Sequence, residues 1–455
     1  MSDLPVSRLL AEAMASARYD DLPPDIVDHA RRSVLDWAGS ALAGAFEPPA
    51  AMTREFVAGF GESSQATMFP DQRASAAGAA LANGVATHIL EYDDVHKGST
   101  LHAAAPVIPA ALAVAEREHA SGEAFLLAVV LGYDAALRVG EAVNPSHYRY
   151  FHPTGTAATF GAAVAAGSLL GLDAARMLDA LGTAGTSAAG LWEFNADGAM
   201  SKHLHPGKAA FNGVLAADLA AKGFTGASRI LEGRRGFFAA MSQHADPSRI
   251  TDGLGTRWKI AENCYKLHSC CGHTHTAADA ALDLREALGP APADAVAAIR
   301  IDHYGPGYEI VKEMNPRTPY QAKFSIAYVT AAALAEGAAG LPQFSEERFS
   351  PDGTIDPAIA RLLARTTVAV NDELTAMYPG AWPARLVIET TDGRTLRGGG
   401  DFPRGNPEAP ASTETLAAKA RSLIAPRYGE AAADRIIAGI AALERVPDMA
   451  ALSWR

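Results

Sequence analysis

Alanine-rich segments with helical spacing follow one another along about the first 260 residues. In one of them Ile26, Ala30 and Val34 recur at the intervals that place apolar side chains on one face of a helix. Ser121 is a residue type that caps helix N-termini, and Gly140 is expected to end the helix that Ser121 begins. This pattern predicts a large all-helical domain.

The pattern changes after about residue 264. Runs 296–304 (VAAIRIDHY) and 366–370 (TTVAV) predict short strands. Residues 385–399 contain two further strand-like runs around Asp392-Gly393, a pair that is typical of β-hairpin turns. The predicted fold is mostly α, with a smaller α+β domain inserted into a discontinuous helical one. The predicted boundaries are 1–263 and 408–455 for the all-helical domain and 264–407 for the inserted domain.

The chain carries 39 basic and 51 acidic residues, a formal net charge of −12. This balance disfavours non-specific nucleic-acid binding, which needs a basic surface. Local clusters of Lys and His could still bind a small anionic substrate. The sequence has no phosphate-binding loop, dinucleotide-binding fingerprint or serine-hydrolase elbow, so these three chemistries have no support.

Cysteine content and hydropathy bear on the compartment. The three cysteines cannot form a disulfide framework, which favours a reducing environment. No uncharged apolar run reaches the ~18 residues of a membrane span, and the N-terminal segment lacks the apolar core of a signal peptide. We therefore expect a cytoplasmic protein that binds neither membranes nor nucleic acids.

Histidine is unevenly distributed. Nine of the 14 histidines lie in four short windows. Three of these windows lack helical periodicity and are expected at helix ends and loops, where functional groups concentrate. The windows contain His96 and His102, His147 and His152, His203 and His205, and His268, His273 and His275.

In the first window Glu91, Asp93 and Asp94 precede His96. Carboxylates and imidazole could chelate a metal ion, but adjacent aspartates point in different directions and no HExxH motif follows. The alternative is a helix end that delivers a carboxylate and an imidazole to a cleft. A following helix could then receive an anion at its N-terminal amides.

In the third window Lys202, His203, His205 and Lys208 lie ahead of a helix that we predict for 208–222. Cations are unfavourable at a helix N-terminus. This arrangement therefore indicates either an anionic ligand between these side chains or a solvated basic rim.

The fourth window combines three cysteines with three histidines. Cys264, Cys270 and Cys271 have the spacing C-x5-C-C, which differs from the CxxC pairs of structural zinc sites and from iron–sulfur motifs. Lys266 and one of the histidines are better candidates for proton transfer than for metal binding.

At these windows the sequence resembles the MmgE/PrpD family, whose members include 2-methylcitrate dehydratase, cis-aconitate decarboxylase and iminodisuccinate epimerase. The resemblance implies a helical domain interrupted by an α+β lid, a homodimer, and no metal or organic cofactor. It also implies a charged pocket between helical domain and lid that holds a di- or tricarboxylate. The matching segments, in family order, are 90–116, 150–172, 201–226, 265–282 and 322–334.

Carried over by matching position, the family's active-site residues resemble Asp94, His102, His152, Lys202 and Lys266. The sequence departs from the family where a threonine often follows the Asp pair and a Tyr-Pro pair often follows the last lysine, so more than one substrate stays open. Further candidates for substrate contact are Asp93, His96, Tyr150, His205, His268, Cys271 and His275.

The expected chemistry starts from a proton α to a carboxylate. Such a proton is weakly acidic, so an enzyme must place cations at the carboxylate and a base over the C–H bond. We expect a lyase that dehydrates a small hydroxy-polycarboxylate resembling 2-methylcitrate or citrate. The alternatives are an epimerase of an imino- or amino-dicarboxylate, a decarboxylase of the cis-aconitate type, and a silent carboxylate-binding protein.

Overall fold

The computed structural model describes residues 5–349 and 355–454. Residues 1–4 and 455 of the predicted helical domain and 350–354 of the predicted inserted domain lie outside the described residues. The helices are α1 (Val6–Ser16), α2 (Pro24–Gly44), α3 (Pro48–Ala58), α4 (Ala76–His88), α5 (Ala104–Arg117), α6 (Gly122–Val143), α7 (Ala157–Leu169), α8 (Ala174–Thr186), α9 (Phe194–Asp197), α10 (Ser201–Ala221), α11 (Phe237–Met241), α12 (Ser248–Thr251), α13 (His275–Arg285), α14 (Pro292–Ala295), α15 (Gly305–Val311), α16 (Pro319–Lys323), α17 (Ile326–Glu336), α18 (Pro357–Leu363), α19 (Asp372–Met377), α20 (Thr413–Tyr428) and α21 (Glu430–Ala441). The strands are β1 (Ala66–Met68), β2 (Gln72–Ala74), β3 (Val296–His303), β4 (Thr366–Val370), β5 (Ala384–Thr390) and β6 (Thr395–Gly400).

The prediction of a mostly α chain is confirmed. By their internal contacts the described residues form two units. The helical unit lies within Met1–Ile89, Asp93–Asn263 and Ser412–Arg455, and the mixed unit lies within Leu90–Tyr92 and Cys264–Ala411. Throughout 5–349 and 355–454, the helices fall short of the length and apolar character needed to cross a bilayer. The function of the mixed unit as a lid stays a prediction.

Helix boundaries in the helical unit follow some sequence signals and depart from others. The Ser121 hydroxyl accepts a hydrogen bond from Ala124 N at 3.2 Å and caps α6, as predicted. The prediction that Gly140 ends this helix is wrong, because α6 continues to Val143. Gly140 instead permits close packing, since a Cβ added there would lie 2.7 Å from the Cβ of Ser99.

Helix α10 begins earlier than predicted, at Ser201 rather than at 208. Pro206 is the sixth residue of this helix, so it removes the backbone N–H that would otherwise donate to the carbonyl oxygen of Lys202. Lys202, His203 and His205 therefore lie in the first turns of α10 and not ahead of it.

Glycines let α4 and α10 approach each other closely. A Cβ added at Gly84 would lie 2.7 Å from Gly207 Cα, and one added at Gly207 would lie 2.5 Å from Leu81 O. This close contact brings His88, at the end of α4, near the side chains of the first turns of α10.

The mixed unit contains a four-stranded sheet in the order β4-β3-β5-β6. β3 pairs with β4 in parallel and with β5 antiparallel, and β5 pairs with β6 antiparallel. These pairs confirm the predicted strands, and β5 and β6 form the hairpin predicted at Asp392-Gly393. Helices α13 and α17 pack on this sheet and share a core of buried alanine, isoleucine and leucine side chains with it.

Candidate active site

The end of α4 brings a histidine, an aspartate and a second histidine together. His88 is the last residue of α4, and its Nδ1 lies 2.8 Å from Oδ2 of Asp93. The same oxygen lies 3.6 Å from Nδ1 of His102. Because an ionised carboxylate can only accept hydrogen bonds, Nδ1 of His88 carries a proton. The ring centroids of His88 and His102 lie 4.9 Å apart.

The tautomer of His102 follows from its hydrogen bond to the backbone. Its Nδ1 lies 2.6 Å from the carbonyl oxygen of Asp94, which can only accept. Nδ1 therefore carries a proton, and the lone pair of the neutral ring is on Nε2. The backbone N–H of His102 donates to Thr154 Oγ1 at 3.1 Å and helps to hold the residue in place. His102 is thus oriented to accept or return a proton through Nε2.

Asp94 is anchored by three donors. Its Oδ2 accepts hydrogen bonds from Tyr133 Oη and Asn263 Nδ2, both at 2.6 Å, and its Oδ1 accepts one from Ala104 N at 3.1 Å. Burial raises the pKa of Asp94 to about 7, although the Tyr133 and Ala104 bonds act in the opposite direction. This anchoring fixes the carbonyl group of Asp94, and through it the orientation of His102.

The first turns of α10 place His205 next to His152. Nδ1 of His205 lies 3.1 Å from Nδ1 of His152, so one nitrogen donates and the two rings cannot both be protonated. Burial lowers the pKa of His152 well below its usual value, and His88, His205 and Lys202 add to the effect. Burial also lowers the pKa of His205 to about 4, with Lys208 contributing. Both imidazoles are therefore neutral near pH 7.

Aromatic rings enclose the two neutral histidines. The ring centroid of Trp192 lies 5.1 Å from that of His152, and the centroid of Phe194 lies 5.5 Å from that of His205. Trp192 and Phe194 also pack on each other, with centroids 4.9 Å apart. Because these rings exclude water, they are a physical source of the burial that lowers both pKa values.

Two basic residues of the windows, Lys208 and His147, donate hydrogen bonds to backbone carbonyl groups. Lys208 Nζ donates to three carbonyl oxygens, among them those of Gly155 at 3.3 Å and Ala189 at 2.6 Å. His147 Nδ1 donates to the carbonyl oxygen of Met241 at 2.8 Å, and burial lowers the pKa of this histidine to about 4. Both side chains shape the loops around His152.

His96 belongs to a different cluster. Its Nδ1 accepts a hydrogen bond from Ser99 N at 3.2 Å, and its Nε2 lies 3.7 Å from Glu141 and from Glu262. Lys259 Nζ lies 2.9 Å from Glu141 and 3.3 Å from Glu262. Burial acts to raise the pKa of Glu262, but the hydrogen bond to His96 and the charge of Lys259 outweigh it and lower this pKa to about 2. The cluster is a charge-compensated network.

Two groups of possible metal ligands occur in the described parts of the chain. In the first the carboxylate oxygen already accepts a hydrogen bond, and in the second Lys259 already balances the two carboxylates. Both groups therefore have the bonding of polar networks. The groups, each with its ligand atoms within 4.8 Å of one another, are His88–Asp93–His102 and His96–Glu141–Glu262.

Lys266 is a buried cation of the mixed unit. Its Nζ lies 3.7 Å from Oε2 of Glu91, and both side chains are almost fully buried. The segment 90–92 is tied to this unit by Tyr92 Oη, which donates to Leu267 O at 3.0 Å. Glu91 has a positive φ of 56°, which is unusual for a residue other than glycine. This carboxylate is therefore held at Lys266 by the backbone as well as by charge.

The other candidates of the fourth window make hydrogen bonds within the mixed unit. His268 Nε2 lies 2.9 Å from Asp279 Oδ1, and His275 Nε2 lies 3.2 Å from the carbonyl oxygen of Cys270. The backbone N–H of Cys271 donates to a carbonyl oxygen at 2.9 Å. Burial raises the pKa of Cys270 to about 12, so its thiol is neutral near pH 7 and is a poor metal ligand.

Tyr150, a candidate for substrate contact, lies on the surface of the helical unit. Its side chain is 52% exposed, and the guanidinium of Arg149 lies 5.2 Å from its ring centroid. Of the twelve active-site and substrate-contact candidates chosen from the sequence, six are linked by hydrogen bonds or electrostatic interactions around His88 and α10 in the helical unit. These six are Asp93, Asp94, His102, His152, Lys202 and His205.

Sequence reasoning missed three side chains of this cluster: His88, Tyr133 and Asn263. His88 lies in the apolar run GVATHIL, and Tyr133 ends the apolar run FLLAVVLGY of helix α6. A polar group inside an apolar helix must find a buried partner. That rule would have identified both as candidates, whereas Asn263 carries no comparable signal.

Known proteins resemble this chain along nearly its whole length. The MmgE/PrpD N-terminal domain matches residues 8–250, and the MmgE/PrpD C-terminal domain matches residues 268–445. The cis-aconitate decarboxylase of Aspergillus terreus is 28% identical over 95% of this chain and 92% of its own length. Human cis-aconitate decarboxylase is 26% identical, over 98% of this chain and 94% of its own length. Because the two domain matches together span most of the sequence, the chain belongs to the MmgE/PrpD family.

Proposed function

We propose that the protein is a cofactor-independent lyase of small polycarboxylates, acting by proton transfer at a carbon next to a carboxylate. The observation that carries this proposal is the hydrogen bond from His102 Nδ1 to the Asp94 carbonyl oxygen at 2.6 Å. It leaves Nε2 of His102 as the atom that exchanges protons. Asp93, 3.6 Å from Nδ1, stabilises the imidazolium that forms when Nε2 takes a proton.

The charges around His102 suit an anionic substrate. Lys202 is nearly fully buried, and it lowers the pKa of both His152 and His205. A buried cation beside neutral imidazoles offers one full charge and several hydrogen-bond donors to a carboxylate. A substrate carboxylate at Lys202 would have its developing negative charge stabilised without reorganisation of water.

Decarboxylation is the first reaction to test, because the curated relatives described above are cis-aconitate decarboxylases. In this reaction the C–C bond to one carboxylate breaks, CO2 leaves, and the electron pair stays on the remaining carbon skeleton. A protonated His102 donates its Nε2 proton to the resulting carbanion, and solvent then reprotonates the ring.

Dehydration of a hydroxy-polycarboxylate, favoured by the sequence analysis, is the second candidate. It needs a base for the C–H proton and an acid for the departing hydroxyl group. The ring centroids of His102 and His152 lie 6.3 Å apart, so two proton-transfer groups are available within one cluster. The same pair would serve an epimerase, which returns the proton to the opposite face.

Lys266 and Glu91 are proposed to act in the same reaction. Lys266 matches an active-site position of the family. Its buried ion pair with Glu91, at 3.7 Å, supports a functional role, because a lysine without one would be expected at the surface. Such a pair can release the lysine to a substrate carboxylate if Glu91 accepts a proton. Lys266→Met is expected to abolish turnover, with Lys312→Met as a control, because the exposed Lys312 lies directly after α15.

The experiment that tests the proposal is proton NMR in D2O with EDTA. The wild-type protein is incubated separately with cis-aconitate, citrate, 2-methylcitrate and aspartate. Loss of CO2 with deuterium incorporation supports decarboxylation, and a vinyl signal gained from citrate or 2-methylcitrate without loss of CO2 supports dehydration. Deuterium exchange at an α-carbon without any new product supports epimerisation. Binding of these acids without turnover or exchange would refute the enzyme and favour the silent carboxylate-binding protein.

A homodimer is proposed on the basis of exposed apolar residues in α3 and just after its C-terminal end. Met52, Phe56 and Phe60 are 59%, 63% and 49% exposed, and the two phenylalanine rings pack edge to face at 5.2 Å. Contiguous exposed aromatic residues are typical of subunit interfaces. Phe56→Glu should halve the mass measured by light scattering, and an unchanged mass would exclude this face as the interface.

A further inference from the structure

We propose that His88 is a positioning residue that fixes the Asp93 carboxylate and thereby controls how strongly Asp93 acts on His102. The inference rests on the proposed function, because it assigns His88 a task in the proton transfer of His102. His88 is fully buried and was not among the residues selected from the sequence or by family resemblance.

The geometry puts one carboxylate oxygen between two imidazoles. Oδ2 of Asp93 lies 2.8 Å from Nδ1 of His88 and 3.6 Å from Nδ1 of His102. The first distance is a full hydrogen bond and the second is an electrostatic contact only. His88 therefore holds the oxygen and takes up part of its charge, while His102 spends its own Nδ1 proton on the Asp94 carbonyl oxygen.

Removal of the His88 donor would change how strongly the Asp93 carboxylate acts on His102. A buried carboxylate that loses a hydrogen bond becomes harder to keep ionised without a new partner. Nδ1 of His102 bears a proton 3.6 Å from the same oxygen, and the imidazolium form of His102 would supply the missing positive charge. His102 would then hold its proton to higher pH, which weakens it as a base near neutrality.

Other titratable groups lie near His88, Asp93 and His102 and also influence the protonation of His102. His152 stacks on His88 with centroids 5.5 Å apart, and His203 lies 6.0 Å from it. All of them stay in place in the variants described below, so they do not distinguish these variants. The further groups that act on His152 or on Asp94 are Lys202, His205 and Asp36.

Two substitutions of His88 separate positioning from packing. The side-chain nitrogen of asparagine replaces Nδ1, so His88→Asn keeps the donor to Asp93. The longer glutamine places its nitrogen at Nε2, so His88→Gln keeps a polar, uncharged side chain but loses the Nδ1 donor. Within the described chain, Nε2 of His88 makes no hydrogen bond, so glutamine gains no compensating partner there.

The first measurement is the pH profile of kcat/KM on the substrate identified by NMR. His88→Gln is expected to move the acid limb up by about one pH unit, the scale of a charge interaction at this distance. His88→Asn is expected to leave the limb within ~0.3 unit of wild type, since its donor is intact. A uniform loss of activity at every pH, or equal shifts in both variants, would overturn the proposal.

The second measurement needs no turnover. Histidine labelled with 13C at Cε1 gives one signal per ring, and His102→Gln identifies the signal of His102. Its titration midpoint should rise in His88→Gln and stay in His88→Asn. If His88→Gln does not fold, Asp93→Asn should lower the same midpoint, and no change there overturns the proposal. Absence of turnover in the wild-type protein would refute the proposed function and leave this titration as an independent result.

Discussion

Tyr133→Phe removes one hydrogen bond from the buried carboxylate that anchors His102. Tyr133 Oη lies 2.6 Å from Asp94 Oδ2, and both residues are fully buried. A hydrogen bond to a charged group contributes ~1.5–3 kcal/mol to stability, whereas one between neutral groups contributes ~0.5–1.5 kcal/mol. Burial raises the pKa of Asp94 to about 7. As the pH rises through neutrality, the bond from Tyr133 therefore changes from one between neutral groups to one that a charged carboxylate accepts.

The expected loss of unfolding free energy is therefore ~1 kcal/mol at pH 5 and ~2 kcal/mol at pH 8.5. A difference of ~1 kcal/mol corresponds to a further rise of ~0.7 unit in the pKa of Asp94, because one unit is about 1.36 kcal/mol. The sign follows from linkage. A carboxyl with a raised folded-state pKa contributes stability below its unfolded value, near 4, and loses it as the pH rises through the folded value. The variant extends that loss to higher pH.

Urea unfolding followed by circular dichroism at the two pH values measures the effect. Tyr328→Phe is the matched control, because this buried tyrosine donates to the neutral carbonyl oxygen of Gln343 at 2.8 Å. Its cost should be the same at both pH values. An equal cost for Tyr133→Phe at pH 5 and 8.5, or a larger one at pH 5, would refute the argued link between Tyr133 and the ionisation of Asp94.

Three further predictions concern charge and packing. Lys202→Met should lower kcat/KM by ~100-fold or more and shift the melting temperature little, which steady-state kinetics and calorimetry check together. Lys259→Met should destabilise the protein by ~3 kcal/mol, because Glu141 and its neighbours lose their buried cation; an unchanged melting temperature would contradict this. Gly207→Ala should cost ~1–3 kcal/mol and reduce activity, since its Cβ would lie 2.5 Å from Leu81 O; a fully active variant would show that close α4–α10 packing is dispensable.

Local signals predicted the elements that depend on local geometry. The Ser121 cap and the Asp392-Gly393 hairpin were found because a hydroxyl at an N-cap and a turn dipeptide act on their immediate neighbours. Gly140 and the start of α10 were misjudged for the opposite reason. Gly140 meets Ser99 from another part of the chain, and the first turns of α10 pack on α4 through Gly207. These tertiary contacts outweigh the local preference of each residue.

The sequence predicted several residues of the candidate site but not the hydrogen bonds between them. Windows of histidine and lysine pointed to His102, His152 and Lys202 because such residues cluster in loops and at helix ends. Which nitrogen of a ring carries the proton depends on its hydrogen-bond partner, and that partner can be distant in sequence, as His205 is from His152 and Met241 is from His147. His88 was hidden because its apolar neighbours resemble the core of a helix.

The cluster combines groups that favour opposite protonation states. His152 and His205 have lowered pKa values because burial and Lys202 disfavour their charged forms. A substrate carboxylate beside Lys202 would offset that cation, so both histidines would bind protons more readily in the complex than in the free protein. His102, between Asp93 and the Asp94 carbonyl, already favours a proton on Nδ1. Under the proposed function, His102 would act as the base and His152, once substrate is bound, as the acid; dehydration would use both groups, and decarboxylation would need only a proton donor.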